Sequence, residues 1–154
     1  MTAPIGGAAR RHADPRVARV IDLFEQLTPA DLERLGEFYA EDARFVDPFN
    51  DVRGLGPIRH VFEHMYRSLE QPRFFVHDAI AEGDQCFLTW DFRFGFRRFA
   101  RGTEQCVRGS THLRFAPDGR VQMHRDYWDA AQELYEKLPA VGALMRWLRR
   151  RANE

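Results

Sequence analysis

The stretch FYAEDARFVDPFND, residues 38–51, runs from an aromatic pair through two acids into an apolar segment that Asp47-Pro48 cuts short. Proline cannot donate to a sheet ladder, so it marks a strand end. A short strand is therefore expected over ARFVDP, residues 43–48. Asp47 admits two readings. It caps the strand or the following turn, since Asp-Pro commonly opens turns. Alternatively it shares a face with Phe45 and points into an apolar space. Burial there would raise its pKa and make it a general base.

Upstream, Asp14-Pro15 gives a helix an N-cap acid and a first-turn proline. Val17, Val20, Ile21, Phe24 and Leu27 recur at helical spacing behind it. Thr28-Pro29 starts a second helix, with Leu32, Leu35, Phe38 and Tyr39 on one face. Residues before Asp14 are rich in Gly, Ala and Arg and are expected to form a mobile tail over 1–14.

Downstream, NDVRGLG reads as a loop. PIRHVFEHMYRSLEQ reads as a third helix, with Ile58, Val61, Phe62, Met65 and Leu69 inward. From Pro72 the texture changes to alternating runs separated by turn signals, which read as antiparallel strands. Pro117-Asp118-Gly119 is a turn by mechanism, with a second near Gly102. The order of elements is α+β. A basic segment with apolar residues between its arginines, interrupted near Pro139, ends the sequence over 139–154.

The 154 residues fit one domain, and 44% hydrophobic with 30% charged residues fits a folded globular chain. A formal charge of zero argues against a dedicated nucleic-acid binder. Cys86 and Cys106 form neither a disulfide framework nor a metal pattern. No apolar run approaches the ~20 residues of a membrane span, and the first residues lack a signal-peptide core. The expected location is the cytoplasm.

Three constellations carry chemistry. In HRDYWD, residues 124–129, a strand puts His124, Asp126 and Trp128 on one face. That pairing reads as an oriented acid–base couple or as a surface ion pair. Two ligands on one strand are too few to call a metal site, so none is expected. In TWDFRFGFRRF, Thr89, Asp91 and Arg93 share one face and Trp90, Phe92 and Phe94 the other. Either the polar face is wet and the aromatic one packed, or Asp91 and Arg93 enter a cavity facing Asp126. Finally, ALMRWLRRR reads as a solvated helix end or as a contact with an acidic membrane surface. No phosphate loop, nucleophile elbow or HExxH motif is present, and no cofactor is called for.

The order of elements, with FYAEDARFVDPF and RGLGPIRHVFEHMY, resembles the NTF2-like superfamily over residues 15–138. That superfamily includes SnoaL-like polyketide cyclases, ketosteroid isomerase and limonene epoxide hydrolase. The resemblance implies an NTF2-like cone, in which a strongly curved mixed, mostly antiparallel sheet wraps three helices around a pocket. It also implies a homodimer through the sheet.

Asp47 falls where ketosteroid isomerase carries its proton-shuttling aspartate. That enzyme's other polar positions fall here on Leu23, Phe62 and Thr111. Asp126 matches a last-strand acid of the hydrolase and cyclase branches. Asp91 sits near the hydrolase's second aspartate, with Thr89 in its arginine place and Arg93 two residues on. The resemblance thus implies cofactor-free acid–base chemistry, as isomerisation, cyclisation or water addition, on a small apolar or polycyclic molecule. Asp126 or Asp47 would take the proton, with His124, Tyr39 and Arg93 orienting or donating and Phe45 and Trp128 walling the pocket. The rival reading is a non-catalytic ligand-binding or interaction module of the same fold.

Overall fold

The computed structural model describes residues 12–98, 101–135 and 139–152. Residues 1–11 of the expected tail and the last two of the chain lie outside them. Helix α1 is Pro15–Gln26, and the Asp14 carboxylate caps it by accepting from the Arg16 N–H at 2.9 Å. Its buried residues are Val17, Val20, Ile21, Leu23 and Phe24; the spacing predicts all but Leu23, and Leu27, expected to continue the stripe, is the C-cap and only partly buried.

The second helical segment, Pro29–Glu37, is a 3-10 helix. Leu32 and Leu35, three residues apart, both bury, because side chains at that spacing eclipse when there are three residues per turn. The segment stops before Tyr39, which instead opens strand β1, Tyr39–Val46. This corrects the expected helical face: Tyr39 reaches the core from the sheet. The loop expected over 50–56 contains a short strand, β2, Asp51–Arg53, where Asp51 pairs with Arg44 across the ladder at 2.7 Å.

Helix α2 is Leu55–Ser68, with Ile58 and Phe62 buried. Leu69 opens β3, Leu69–Glu82, three residues before the expected change of texture. Then follow β4, Gln85–Phe96, β5, Gln105–Phe115, and β6, Val121–Tyr127. The β5–β6 turn is the expected one, with the Asp118 carboxylate accepting from the Arg120 N–H and Gly119 at φ 86°. A short α3, Ala130–Glu133, and α4, Pro139–Ala152, complete the chain, so Pro139 opens a helix.

The six strands form one sheet in the order β2-β1-β6-β5-β4-β3. Only the β1–β6 pair is parallel among these neighbours. Register shifts interrupt β1–β6, β3–β4 and β5–β6, and such irregularities bend strands and strengthen twist. The sheet is curved and unclosed, as an NTF2-like cone requires. Residues of α1, the 3-10 helix and α2 share one buried core with its inner face.

Candidate active site

Register sets the site before any side chain is considered. Phe45 on β1 lies opposite His124 on β6, Asp126 on β6 opposite Thr111 on β5, and Gly109 on β5 opposite Trp90 on β4. These strands line a cavity of about 340 Å³ closed on other sides by α1 and α2. Its wall is mostly rings, including Phe24, Phe62, Phe92 and Phe94. Phe74 stacks on Phe92 at 4.4 Å. The volume lies within the range of small-molecule sites.

One chain of hydrogen bonds crosses this apolar wall. The Trp90 indole N–H donates to Thr111 Oγ1 at 2.8 Å, and Thr111 is within 2.6 Å of Asp126 Oδ1. An indole N–H only donates, so the single threonine proton is directed at the carboxylate. His124 Nε2 lies 2.7 Å from the same Oδ1, and His124 Nδ1 lies 2.8 Å from the Tyr39 hydroxyl. With the Nε2 proton directed at Asp126 Oδ1, Nδ1 of the imidazole accepts the hydrogen bond of the Tyr39 O–H. Both bonds to Asp126 end on Oδ1. Oδ2 takes neither.

Tyr39 is fully buried, and burial first, then the charge of Asp126, pushes its pKa well above the ordinary tyrosine value. It therefore stays a donor. His124 is 3% exposed and ringed by Phe45 at 4.5 Å and Phe24 at 5.4 Å. Trp90 is held over Gly109: a Cβ there would stand 2.4 Å from the indole Cη2. Glycine is required by this close approach.

The sequence candidates divide between the two faces of the sheet. Phe45, Phe62, Thr111, His124, Asp126 and Trp128 all line the cavity, and Tyr39 stands behind His124. Asp91, Thr89 and Arg93 do not. They alternate with the cavity residues Trp90, Phe92 and Phe94, so they project from the opposite face. There Asp91 meets His77 at 3.2 Å and Arg93 at 3.8 Å. Thr89 meets Asp78, and the Arg93 guanidinium lies over the Phe75 ring. Their placement in the cavity is thus corrected, because period-two alternation gives β4 only one inner set.

Asp47 reaches the cavity rim, yet its carboxylate holds the turn after β1. Oδ1 accepts from the Phe49 and Asn50 N–H groups at 2.7 Å each, and the Asn50 side chain bonds both oxygens. The turn reading of Asp47-Pro48 is the one the geometry carries.

Three polar residues at the cavity were not singled out from the sequence: Asn50, His64 and Ser68. Val61, His64, Met65 and Ser68 follow i, i+3, i+4, i+7 spacing, so helical periodicity alone puts the last three on the face of Val61. Asn50 carries no such signal. Among the described residues, no three His, Cys, Asp or Glu side chains cluster to hold a metal ion. No described helix is long and apolar enough to cross a membrane.

Comparison with solved structures finds the same architecture. A Shewanella putrefaciens protein assigned to the SnoaL-like polyketide cyclases is 20% identical, with TM-score 0.69 over 87% of this chain and 92% of that one. A Catenulispora acidiphila protein of ketosteroid isomerase-like fold, in complex with trimethylamine, is 18% identical, with TM-score 0.67 over 80% and 92%. TerC, co-crystallised with polyporic acid, is 16% identical, with TM-score 0.66 over 77% and 95%. At these identities the likeness concerns the fold. No curated protein matches the chain. The family profile of the SnoaL-like domain matches residues 20–124. The chain belongs to the SnoaL-like domain family.

Proposed function

We propose that this protein binds a small, flat or apolar molecule in its cone and moves a proton on it, with Asp126 as the base. The observation that carries this reading is the asymmetric holding of Asp126 beside an aromatic cavity: two partners on Oδ1, neither on Oδ2. A carboxylate so placed is oriented by the donors behind it and keeps one oxygen for a substrate. Thr111 and His124 stabilise its charge where few waters would. Tyr39 fixes the imidazole, and Trp90 aims the threonine proton.

Once Asp126 has taken a proton from carbon, it is a neutral acid beside the resulting enolate or carbanion. Returning the proton to another atom isomerises the substrate. Attack by the carbanion on a carbonyl carbon within the same molecule breaks the C=O π bond and cyclises it, and the alkoxide formed takes the proton back from Asp126. His64 and Ser68 are further polar groups lining the cavity that a substrate oxygen could meet. General base catalysis of this type contributes about 10²–10⁴-fold.

The test is proton exchange, which needs no knowledge of the final product. The protein is incubated in deuterated water with a panel of apolar cyclic ketones and aromatic 1,3-dicarbonyls, and incorporation is read by mass spectrometry. The expected result is incorporation into at least one compound. Saturable binding of panel members without incorporation would favour a non-catalytic binding module, a reading supported by the otherwise apolar wall. The proposal includes a homodimer through the outer face of the sheet, where Ile80 and Phe87 are exposed; sedimentation equilibrium checks it.

A further inference from the structure

Helix α4 has no part in the site described above, yet it exposes much of its apolar surface. Val141, Leu144, Trp147 and Leu148 are 43%, 55%, 46% and 46% exposed. At 100° per residue they form one continuous arc. Arg146, Arg149 and Arg150 lie outside that arc, whereas Arg151, in the last turn, falls within it between Trp147 and Leu144, its guanidinium 5.5 Å from the Trp147 ring. Pro139–Ala152 contains no acidic residue. Because the whole chain has a formal charge of zero, the helix's four arginines are balanced by net acid elsewhere.

We propose that α4 docks this protein on an anionic membrane surface, lying in the interface with its apolar arc inward. Three features select this occupant. An exposed tryptophan and leucines flanked by arginines match the layering of acyl chain, interface and phosphate. A second copy of the helix would bring like charges together. An acidic protein or nucleic acid would leave the apolar arc uncovered. The helix also springs from the cavity rim. Leu134 lines the cavity and Tyr135 meets Phe49 at 6.4 Å, and Pro139 follows within at most about 14 Å of chain. Docking would therefore hold the cavity mouth near the bilayer, where apolar molecules partition. This inference stands apart from the catalytic reading, since a binding module would use the helix equally.

The test is co-sedimentation of the full chain with vesicles of phosphatidylglycerol and phosphatidylcholine in equal parts, against vesicles of phosphatidylcholine alone. Binding is expected to the first and not the second, weakening as salt rises. Arg150→Gln with Arg151→Gln should lower the partition constant about 25-fold, from about fivefold per arginine. Trp147→Ala should lower it at least about tenfold. All three side chains are exposed, so an unchanged melting temperature confirms folding. Equal binding to both vesicles, or to neither, overturns the proposal. So does a Trp147-dependent dimer without vesicle binding. Binding that needs the arginines but ignores Trp147→Ala overturns it as well, since the apolar arc would then be idle.

Discussion

Asp126 and Tyr39 have opposite tasks in one network. Thr111 and His124 both hold Asp126 by Oδ1, whereas Tyr39 directs its only proton at His124 Nδ1. Tyr39→Phe removes one oxygen and leaves the buried Nδ1 without its donor. The expected cost is about 1–3 kcal/mol, read from urea unfolding. The ¹⁵N shifts of His124 should then lose the pure Nε2–H pattern expected of the native chain. An unchanged pattern would mean that Asp126 alone sets the tautomer. HRDYWD made His124 and Asp126 legible as one strand face, because strand period needs nothing but spacing, whereas Trp128 lies one residue past the end of β6 and still lines the cavity. It could not show that Thr111 lies opposite Asp126, since register across a hairpin depends on where the turn and the bulge fall.

Strands β4 and β5 show what alternation can and cannot settle. The split of Trp90, Phe92 and Phe94 from Thr89, Asp91 and Arg93 was readable from the residues. Which set faces the cavity depends on what packs above, and that is tertiary. The aromatic set won because α1 and α2 cover that face with apolar side chains. Similarly, Tyr39 sits where a helix pattern and a strand pattern meet, and only the 3-10 segment's end at Glu37 puts it in the sheet. The pairing of Trp90 with Gly109 makes its own prediction. Gly109→Ala must displace the indole ring, so it should destabilise by about 1–3 kcal/mol and disturb the bond to Thr111. Thermal unfolding and indole fluorescence check it; no change in either would show that the ring moves freely.

Across the fold as a whole, burial of weak acids gives stability a pH dependence. In the folded state Tyr39 holds its proton to well above the ordinary value, while the unfolded chain releases it near about pH 10. The folded state then binds more protons, so stability is complete below that pH and falls as pH rises through it. Cys86 and Tyr66, both pushed up to about 12 by burial, act in the same direction. Urea midpoints should fall between about pH 9 and 11, and less steeply in Tyr39→Phe. The α+β order was legible because caps and turns are local signals, whereas the cone was legible only through the family resemblance that FYAEDARFVDPF and RGLGPIRHVFEHMY carry. The cavity's use was not, since one fold serves many activities.

The central claim is that Asp126 moves a proton, and one comparison tests it most directly. Asp126→Asn keeps the side chain's shape and an oxygen that can accept from Thr111 and His124. Deuterium incorporation and binding of the same panel compound are measured for the native chain and this variant. The account predicts an exchange rate lower by about 10²–10⁴-fold with Kd and melting temperature nearly unchanged. Exchange as fast as in the native chain would contradict it.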